Sequence, residues 1–248
     1  MISLQHLTFA YGTRTILDGI DVTFASSRLT AIMGANGCGK TTLLRLIGGL
    51  LTPTSGQITI GGTPITSYSA RTLAQQVAFV RQQQPTDLDF SAFEIVLMGR
   101  NPYQHRLQNE SQHDWDIVES CMRQTSTWHL RFARPSQMSG GELQRVMIAR
   151  ALAQQTPILL MDEPVSNLDI AHQIDIMRLL RTLKAERTIL IAIHDLNLAL
   201  HTCDDLLLLH GGRALYHGEI RCGLTPDRIR IAYGIETTAN DGHIAFAY

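Results

Sequence analysis

Apolar residues fall along this chain in two kinds of run. Leu29-Thr30-Ala31-Ile32-Met33, Val77 to Val80, Ile158 to Met161 and Ile189 to Ile193 are short and almost unbroken. Runs of this kind belong to strands buried on both faces, as in a parallel sheet. Residues 2 to 10 and 20 to 24 predict two more short strands around a turn at Gly12. Gln57 to Ile60 predicts another, turning at Gly61-Gly62. Between Met33 and the next strand lie a glycine-rich turn and an apolar helix from Lys40 to Leu51. Residues 85 to 153 differ in kind: Asp, Glu, Gln, Trp and Arg recur at helical spacing and β-branched clusters are few. The pattern predicts an α/β fold with a helical subdomain (approximately 85–153) inserted into a core (approximately 1–84 and 154–212). Residues 213–248, with short strand-like pieces and glycine turns, would form a small C-terminal extension.

Composition narrows the class. At roughly 150 residues per domain, 248 residues make one large domain or two small ones. Charged residues are 17% and apolar residues 44%, which excludes a disordered chain. Twenty-one basic against 22 acidic residues leave a formal charge of -1, so nothing electrostatic calls for a nucleic-acid partner. Cys38, Cys121, Cys203 and Cys222 are scattered, with no disulfide framework or zinc spacing, and fit a reducing compartment. No apolar run approaches the roughly 18 residues of a membrane span, and Met1 to His6 lack the basic start and apolar core of an export signal. A cytoplasmic protein is expected, meeting a membrane only through a partner.

Gly34-Ala35-Asn36-Gly37-Cys38-Gly39-Lys40-Thr41 matches Gly-x-x-x-x-Gly-Lys-Ser/Thr at every position, with a strand before it and a helix after it. A random chain of this length carries the pattern roughly once in a hundred, so accident is a poor explanation. Glycines let the backbone wrap phosphates with its N–H groups inward, and the helix N-terminus adds partial positive charge. Lys40 is expected to reach the β- and γ-phosphates, and the Thr41 hydroxyl to ligate Mg²⁺.

Ile158 to Met161 runs into Asp162-Glu163. Taken alone, two carboxylates at a strand end are an ordinary helix cap. Beside a phosphate loop, Asp162 is placed to hold Mg²⁺ through its water shell and Glu163 to polarise an attacking water. His194 follows the strand at Ile189 to Ile193, and Gln82 follows Val77 to Val80. Ligands of open α/β sheets bind at the carboxyl ends of strands, so four strand ends deliver these residues to one edge. There His194 would hydrogen-bond the γ-phosphate and the water.

Ser139-Gly140-Gly141-Glu142 precedes an amphipathic helix bearing Leu143, Val146, Met147 and Ala151. By itself Ser139 reads as a helix cap; a second phosphate-binding helix start is the alternative.

The full set resembles the nucleotide-binding subunit of ATP-binding cassette (ABC) transporters, over essentially the whole chain and in the right order. Gly34 to Thr41 are similar to Walker A, Leu160-Met161-Asp162-Glu163-Pro164 to Walker B, and Ser139 to Glu142 to the signature. Ser166-Asn167-Leu168-Asp169 resemble the D-loop, Gln82 and His194 the Q-loop and H-loop, and Tyr11 the aromatic that stacks on adenine. The resemblance implies a P-loop core with an antiparallel β subdomain and an inserted helical subdomain. It implies that Tyr11, the loop through Thr42, Ser139 to Glu142 and Asp169 bind ATP, and that Thr41, Gln82 and Asp162 serve Mg²⁺. Lys40, Gln82, Glu163 and His194 would be catalytic. It further implies a head-to-tail homodimer that clamps each ATP between one copy's Walker motifs and the other's Ser139 to Glu142. The dimer would drive a membrane permease dimer, with a substrate-binding protein acting through the permease.

Met98-Gly99-Arg100-Asn101-Pro102-Tyr103, Leu168 to Gln173, His194 to Ala199 and Tyr233-Gly234-Ile235-Glu236 resemble type II importers of iron–siderophore, haem or vitamin B12. A ferric siderophore is favoured, with haem, cobalamin or another chelate or oxyanion as alternatives, and a soluble non-transport ATPase as the rival class. Ala35, Met138, Arg81 and Val165 depart from the family's usual residues without removing a catalytic group. Trp115 and Trp128 are expected to pack in the helical segment, and His105, His113 and His129 to be surface residues. Cys38, at a helix start, is expected to have a lowered pKa and to react with thiol reagents.

Overall fold

The computed structural model describes residues 1–82, 89–104, 110–166, 168–240 and 243–246; His105 and Asn167 lie outside them. In chain order, β1 (Ile2–Tyr11), β2 (Arg14–Phe24) and β3 (Leu29–Met33) lead to helix α1 (Lys40–Ile47). Next come β4 (Ser55–Ile60), β5 (Thr63–Pro64), α2 (Ala70–Ala74) and β6 (Val77–Val80). Helices α3 (Ala92–Leu97), α4 (Gln112–Gln124) and α5 (Gly140–Ala153) follow as a block. The chain continues through β7 (Ile158–Asp162), α6 (Ile170–Leu183), β8 (Thr188–Ala192), α7 (Leu196–Thr202) and β9 (Asp205–His210). It ends in β10 (Arg213–Glu219), α8 (Ile220–Gly223), α9 (Pro226–Tyr233) and the hairpin β11 (Thr237–Asn240) with β12 (His243–Phe246).

The strands form an antiparallel sheet β2-β1-β4-β5 and a six-stranded sheet β10-β9-β3-β8-β7-β6, apart from the C-terminal hairpin. In the second sheet β9, β3, β8, β7 and β6 are mutually parallel, and β10 pairs antiparallel at the edge. Every residue of β3, β7 and β8 is buried, and alternation along each strand assigns its side chains to two cores. Ile32, Leu160, Leu190 and Leu207 face the antiparallel sheet and α1. Ala31, Met33, Leu159, Met161, Ile191 and Leu208 face the helices, α5 foremost. This two-faced burial is why the strands read as unbroken apolar runs.

Three parts of the chain differ from the sequence expectation: the C-terminal stretch holds helices α8 and α9 between its strands, and β2 and α1 have other bounds. Strand β2 starts at Arg14 and runs through Asp18-Gly19, which resembles a turn in sequence but is a bulge, Gly19 taking φ 64°. The β1–β2 register shifts there, in the opposite sense around His6 (φ 46°), and once more between Phe9 and Ala10. Helix α1 stops at Ile47 because Gly49 turns left-handed (φ 68°); its N–H bonds Leu46 O at 3.0 Å and Leu50 N–H bonds Arg45 O at 2.8 Å.

The helices α3, α4 and α5 each open on one reciprocal capping box: Ser91 with Glu94, Ser111 with Asp114, Ser139 with Glu142. Arg100, 4% exposed, ties this block together. Its Nε donates to Asp114 Oδ1 at 2.9 Å, and its Nη1 donates to Ala153 O at 2.8 Å and to Gln155 Oε1 at 2.9 Å. Pro102 O accepts from Arg71 Nε (2.9 Å) and Gln75 Nε2 (2.8 Å), anchoring the block to α2. The fragment from Met98 to Tyr103 is thus a structural joint. Trp128 packs edge-on against Phe93 with Arg123 and Arg131 over its ring, while Trp115, His113 and His129 are exposed.

Candidate nucleotide site

Four parallel strands, β3, β6, β7 and β8, end on one edge, and the functional candidates lie in the turns that follow. The turn after β3 is built from glycines that no other residue can replace. Gly34 has φ 142°, and a Cβ there would lie 2.3 Å from Leu209 O; at Gly39 (φ 108°) it would lie 2.6 Å from the Leu17 side chain. Lys40, 6% exposed, folds back over the turn, its ammonium donating to Gly34 O at 2.8 Å and Ala35 O at 3.2 Å. Among the described residues two carbonyls are the hydrogen-bond partners of this cation, which leaves it available to a stronger anion, and the turn's N–H groups favour the same charge.

A cavity of about 300 Å³ opens over this turn, walled by Asn36, Gly37, Lys40, Thr41 and Thr42 from one side and Glu163 from the other. Arg14 and Ile16 of β2 complete the wall. Sequence reading missed both; the only signal was a basic residue just past the Gly12 turn. Tyr11 pairs opposite Arg14 in the β1–β2 ladder, is 48% exposed and rests edge-on against Phe9 with centroids 4.8 Å apart.

On the floor of the site Thr41 Oγ1 donates to Asp162 Oδ1 at 2.9 Å. Asp162 is 3% exposed, and burial pushes its carboxyl above the usual carboxylate range; the Thr41 hydroxyl only partly offsets this, and nearby Glu163 adds to it. Two hard oxygen donors, one of them a buried carboxylate, fit Mg²⁺.

Glu163 stands at the rim with a left-handed backbone (φ 50°), its N–H donating to Ala192 O at 3.1 Å and its carbonyl accepting from Ser166 Oγ at 2.8 Å. A non-glycine residue held in this conformation is strained, and such strain collects where a side chain must be aimed. Its carboxylate is held from both sides: Gln82 Nε2 donates to Oε2 at 2.6 Å, and His194 Nε2 meets Oε1. The structure therefore gathers Gly34 to Thr42, Gln82, Asp162, Glu163 and His194 at one edge.

Ser139 to Glu142 do not line that cavity. Ser139 N–H and Oγ both donate to Glu142 Oε2 at 2.8 Å, holding that carboxyl below its usual range. Gly141 lies beneath Leu168 and His172, and Asp169 caps α6 by accepting from His172 N–H (2.9 Å) and pairing with His172 Nδ1 (2.8 Å). Cys38 reverses an expectation. The helix start and Lys40 do favour its thiolate, but the side chain is buried, and burial outweighs them and pushes the thiol up.

A phosphate-binding turn, a buried carboxylate beside its threonine and a clamped rim carboxylate define a nucleoside-triphosphate-binding α/β cassette. The sequence profile of the ABC transporter family matches residues 17–166, and the chain belongs to that family. It is 38% identical over 224 residues to a cobalamin import ATP-binding protein, BtuD, of Halobacterium salinarum, spanning 90% of this chain but only 56% of that protein. It is 35% identical to the ferric enterobactin transport ATP-binding protein FepC of Escherichia coli, covering 97% of this chain and 90% of that one. Among solved structures, the dimeric post-hydrolysis state of the ATP-binding cassette MJ0796, bound to ADP and Pi, superposes with a TM-score of 0.78. That match has 28% identity over 89% of this chain and 99% of that one. No helix among the described residues is long and apolar enough to cross a membrane.

Proposed function

We propose that this chain hydrolyses ATP as the motor subunit of a type II ABC importer for a ferric siderophore. The grip of Gln82 and His194 on the Glu163 carboxylate, facing the Lys40 turn across one cavity, is the observation that carries the reading. Lys40 exchanges its two carbonyls for the β- and γ-phosphates. Glu163 takes a proton from a water that forms the new P–O bond as the bond from γ-phosphorus to the leaving ADP oxygen breaks. His194 aims that carboxylate. Thr41 and Asp162, with Gln82 once released from Glu163, would hold Mg²⁺, which would neutralise phosphate charge. Tyr11 meets the adenine.

Ser139, Gly140, Gly141 and Glu142 stand outside their own chain's cavity, which favours a head-to-tail homodimer completing each site from a second copy, with Asp169 at the seam. The core, the helical block and the C-terminal extension act as the moving parts. A groove of about 440 Å³ between the core and the helical block, lined by Leu73, Phe79, Arg81, Met147 and Arg150, suits a cytoplasmic helix of an integral membrane permease dimer. The dimer would sit on the inner face of the cell membrane, and a substrate-binding protein would act only through the permease. Haem and cobalamin are the alternative cargoes, since similar identity links the chain to cobalamin and to siderophore relatives.

Glu163→Gln tests the chemistry. Turnover should fall by about 10²–10⁴ while ATP still binds; wild-type turnover in that variant would refute the assignment. Mild-detergent affinity purification of the tagged chain from its own cells tests the partner. A stoichiometric polytopic membrane protein supports the importer, and its absence removes it.

A further inference from the structure

The phosphate turn has a tether from the far end of the chain. Gly34 N–H donates to the Tyr233 hydroxyl at 2.9 Å, across 199 residues of sequence. Tyr233 is the last residue of α9, a helix fixed at both ends: Thr225 caps its start, Pro226 occupies the first turn, and Gly234 closes it at φ 73°. Ile229 and Ala232 bury its inner face. Burial pushes the Tyr233 phenol up to about 12, so the hydroxyl stays neutral. Gly34 is thus held twice, at its N–H by Tyr233 and at its carbonyl by Lys40 (2.8 Å).

These two tethers are not equivalent once phosphate arrives. On the reading proposed above, Lys40 leaves Gly34 O for the nucleotide. Tyr233 is then the side-chain tether left at the start of the turn. We propose that Tyr233 is a positioning residue for ATP: its hydroxyl fixes the Gly34 peptide so that the turn keeps its phosphate-binding shape after Lys40 has moved. The bond matters more in the nucleotide-bound state than in the free one, and only such a difference changes affinity. The C-terminal helix is thereby wired to the nucleotide site, and anything that displaces α9 weakens ATP binding.

Tyr233→Phe deletes the hydroxyl and keeps the ring. Equilibrium binding of a fluorescent ATP analogue should weaken by about tenfold, the range set by leaving one buried donor unpaired. KM for ATP should rise several-fold more than kcat falls, and hydrogen exchange across residues 34–41 should quicken in the nucleotide-bound form. The nucleotide-free melting temperature should fall too, because Lys40 holds only the Gly34 carbonyl and the N–H loses its partner in that state as well, so the loss of affinity is the readout that separates positioning from structure. Lower melting temperature with unaltered affinity would make the bond merely structural and overturn the proposal. Wild-type chain that binds no nucleotide, with Lys40→Ala as the reference, would overturn the ATPase reading itself and this inference with it.

Discussion

Thr41 and Asp162 meet across the site floor at 2.9 Å although 121 residues separate them, hydroxyl donating to carboxylate. The pair is poised for a cation, and Asp162 carries a cost without one. A carboxyl whose folded pKa lies above its unfolded value binds its proton more tightly when folded. Ionised Asp162 therefore subtracts stability above that value, and the penalty fades as pH falls through it. Asp162→Asn removes the charge, keeps an acceptor for Thr41 and should melt at or above the wild-type temperature at pH 7. The same variant should lose Mg²⁺-dependent ATP turnover. Calorimetry and a Mg²⁺ titration of turnover check both halves; a clearly lower melting temperature contradicts the first.

On the proposed reading His194 acts through Glu163, whose Oε1 it holds. His194→Ala removes the hold on Oε1, and once Gln82 is released the carboxylate is free to swing about the strained Glu163 backbone. Misaiming a reacting group by about 1 Å costs on the order of a hundredfold. The kcat should drop by about that factor, with a smaller change in KM for ATP. A KM effect alone would make His194 a binding contact.

The buried pair of Arg100 and Asp114 predicts how acid unfolds the helical block. Burial raises the Asp114 carboxyl, but the Arg100 guanidinium and the Ser111 hydroxyl and N–H overcome it and hold the group below its usual value. Its stabilisation is present above the unfolded pKa near 3.9 and is lost as pH falls through the folded one. Asp114→Ala strands a buried guanidinium and should cost about 3–5 kcal/mol. Thermal melts from pH 7 to pH 3 should converge for variant and wild type at the acid end.

The parts legible in sequence were those whose signal is local. Buried strands announce themselves as unbroken apolar runs, and the turn from Gly34 to Thr41 needs its glycines in fixed places. Even the cap at Ser139 was readable, and two sister boxes at Ser91 and Ser111 show why it says little by itself. The first residues of β2, Arg14 to Gly19, fell outside the strand expected at residues 20 to 24, because the bulge at Gly19 breaks the alternation there. Helix α9 carried its signals, Thr225-Pro226 before it and Gly234 after it, yet only eight residues of weak amphipathicity lie between. Arg14 in the cavity wall and Tyr233 on Gly34 were invisible, because each is a contact between segments that only the folded sheet brings together.

Thiol chemistry offers a check on burial against helix-end charge. Cys38, Cys121 and Cys203 are buried and Cys222 is exposed. Burial pushes the Cys121 thiol to about 11 and the Cys203 thiol to about 12, and moves Cys38 in the same direction. The thiolate is the reactive form, so at pH 8 one thiol should react quickly with an aromatic disulfide reagent and three slowly. Cys222→Ser should abolish the fast phase, and denaturant should release the remaining three. A second fast thiol that vanishes in Cys38→Ser would mean that the helix N-terminus and Lys40 prevail over burial in the phosphate turn.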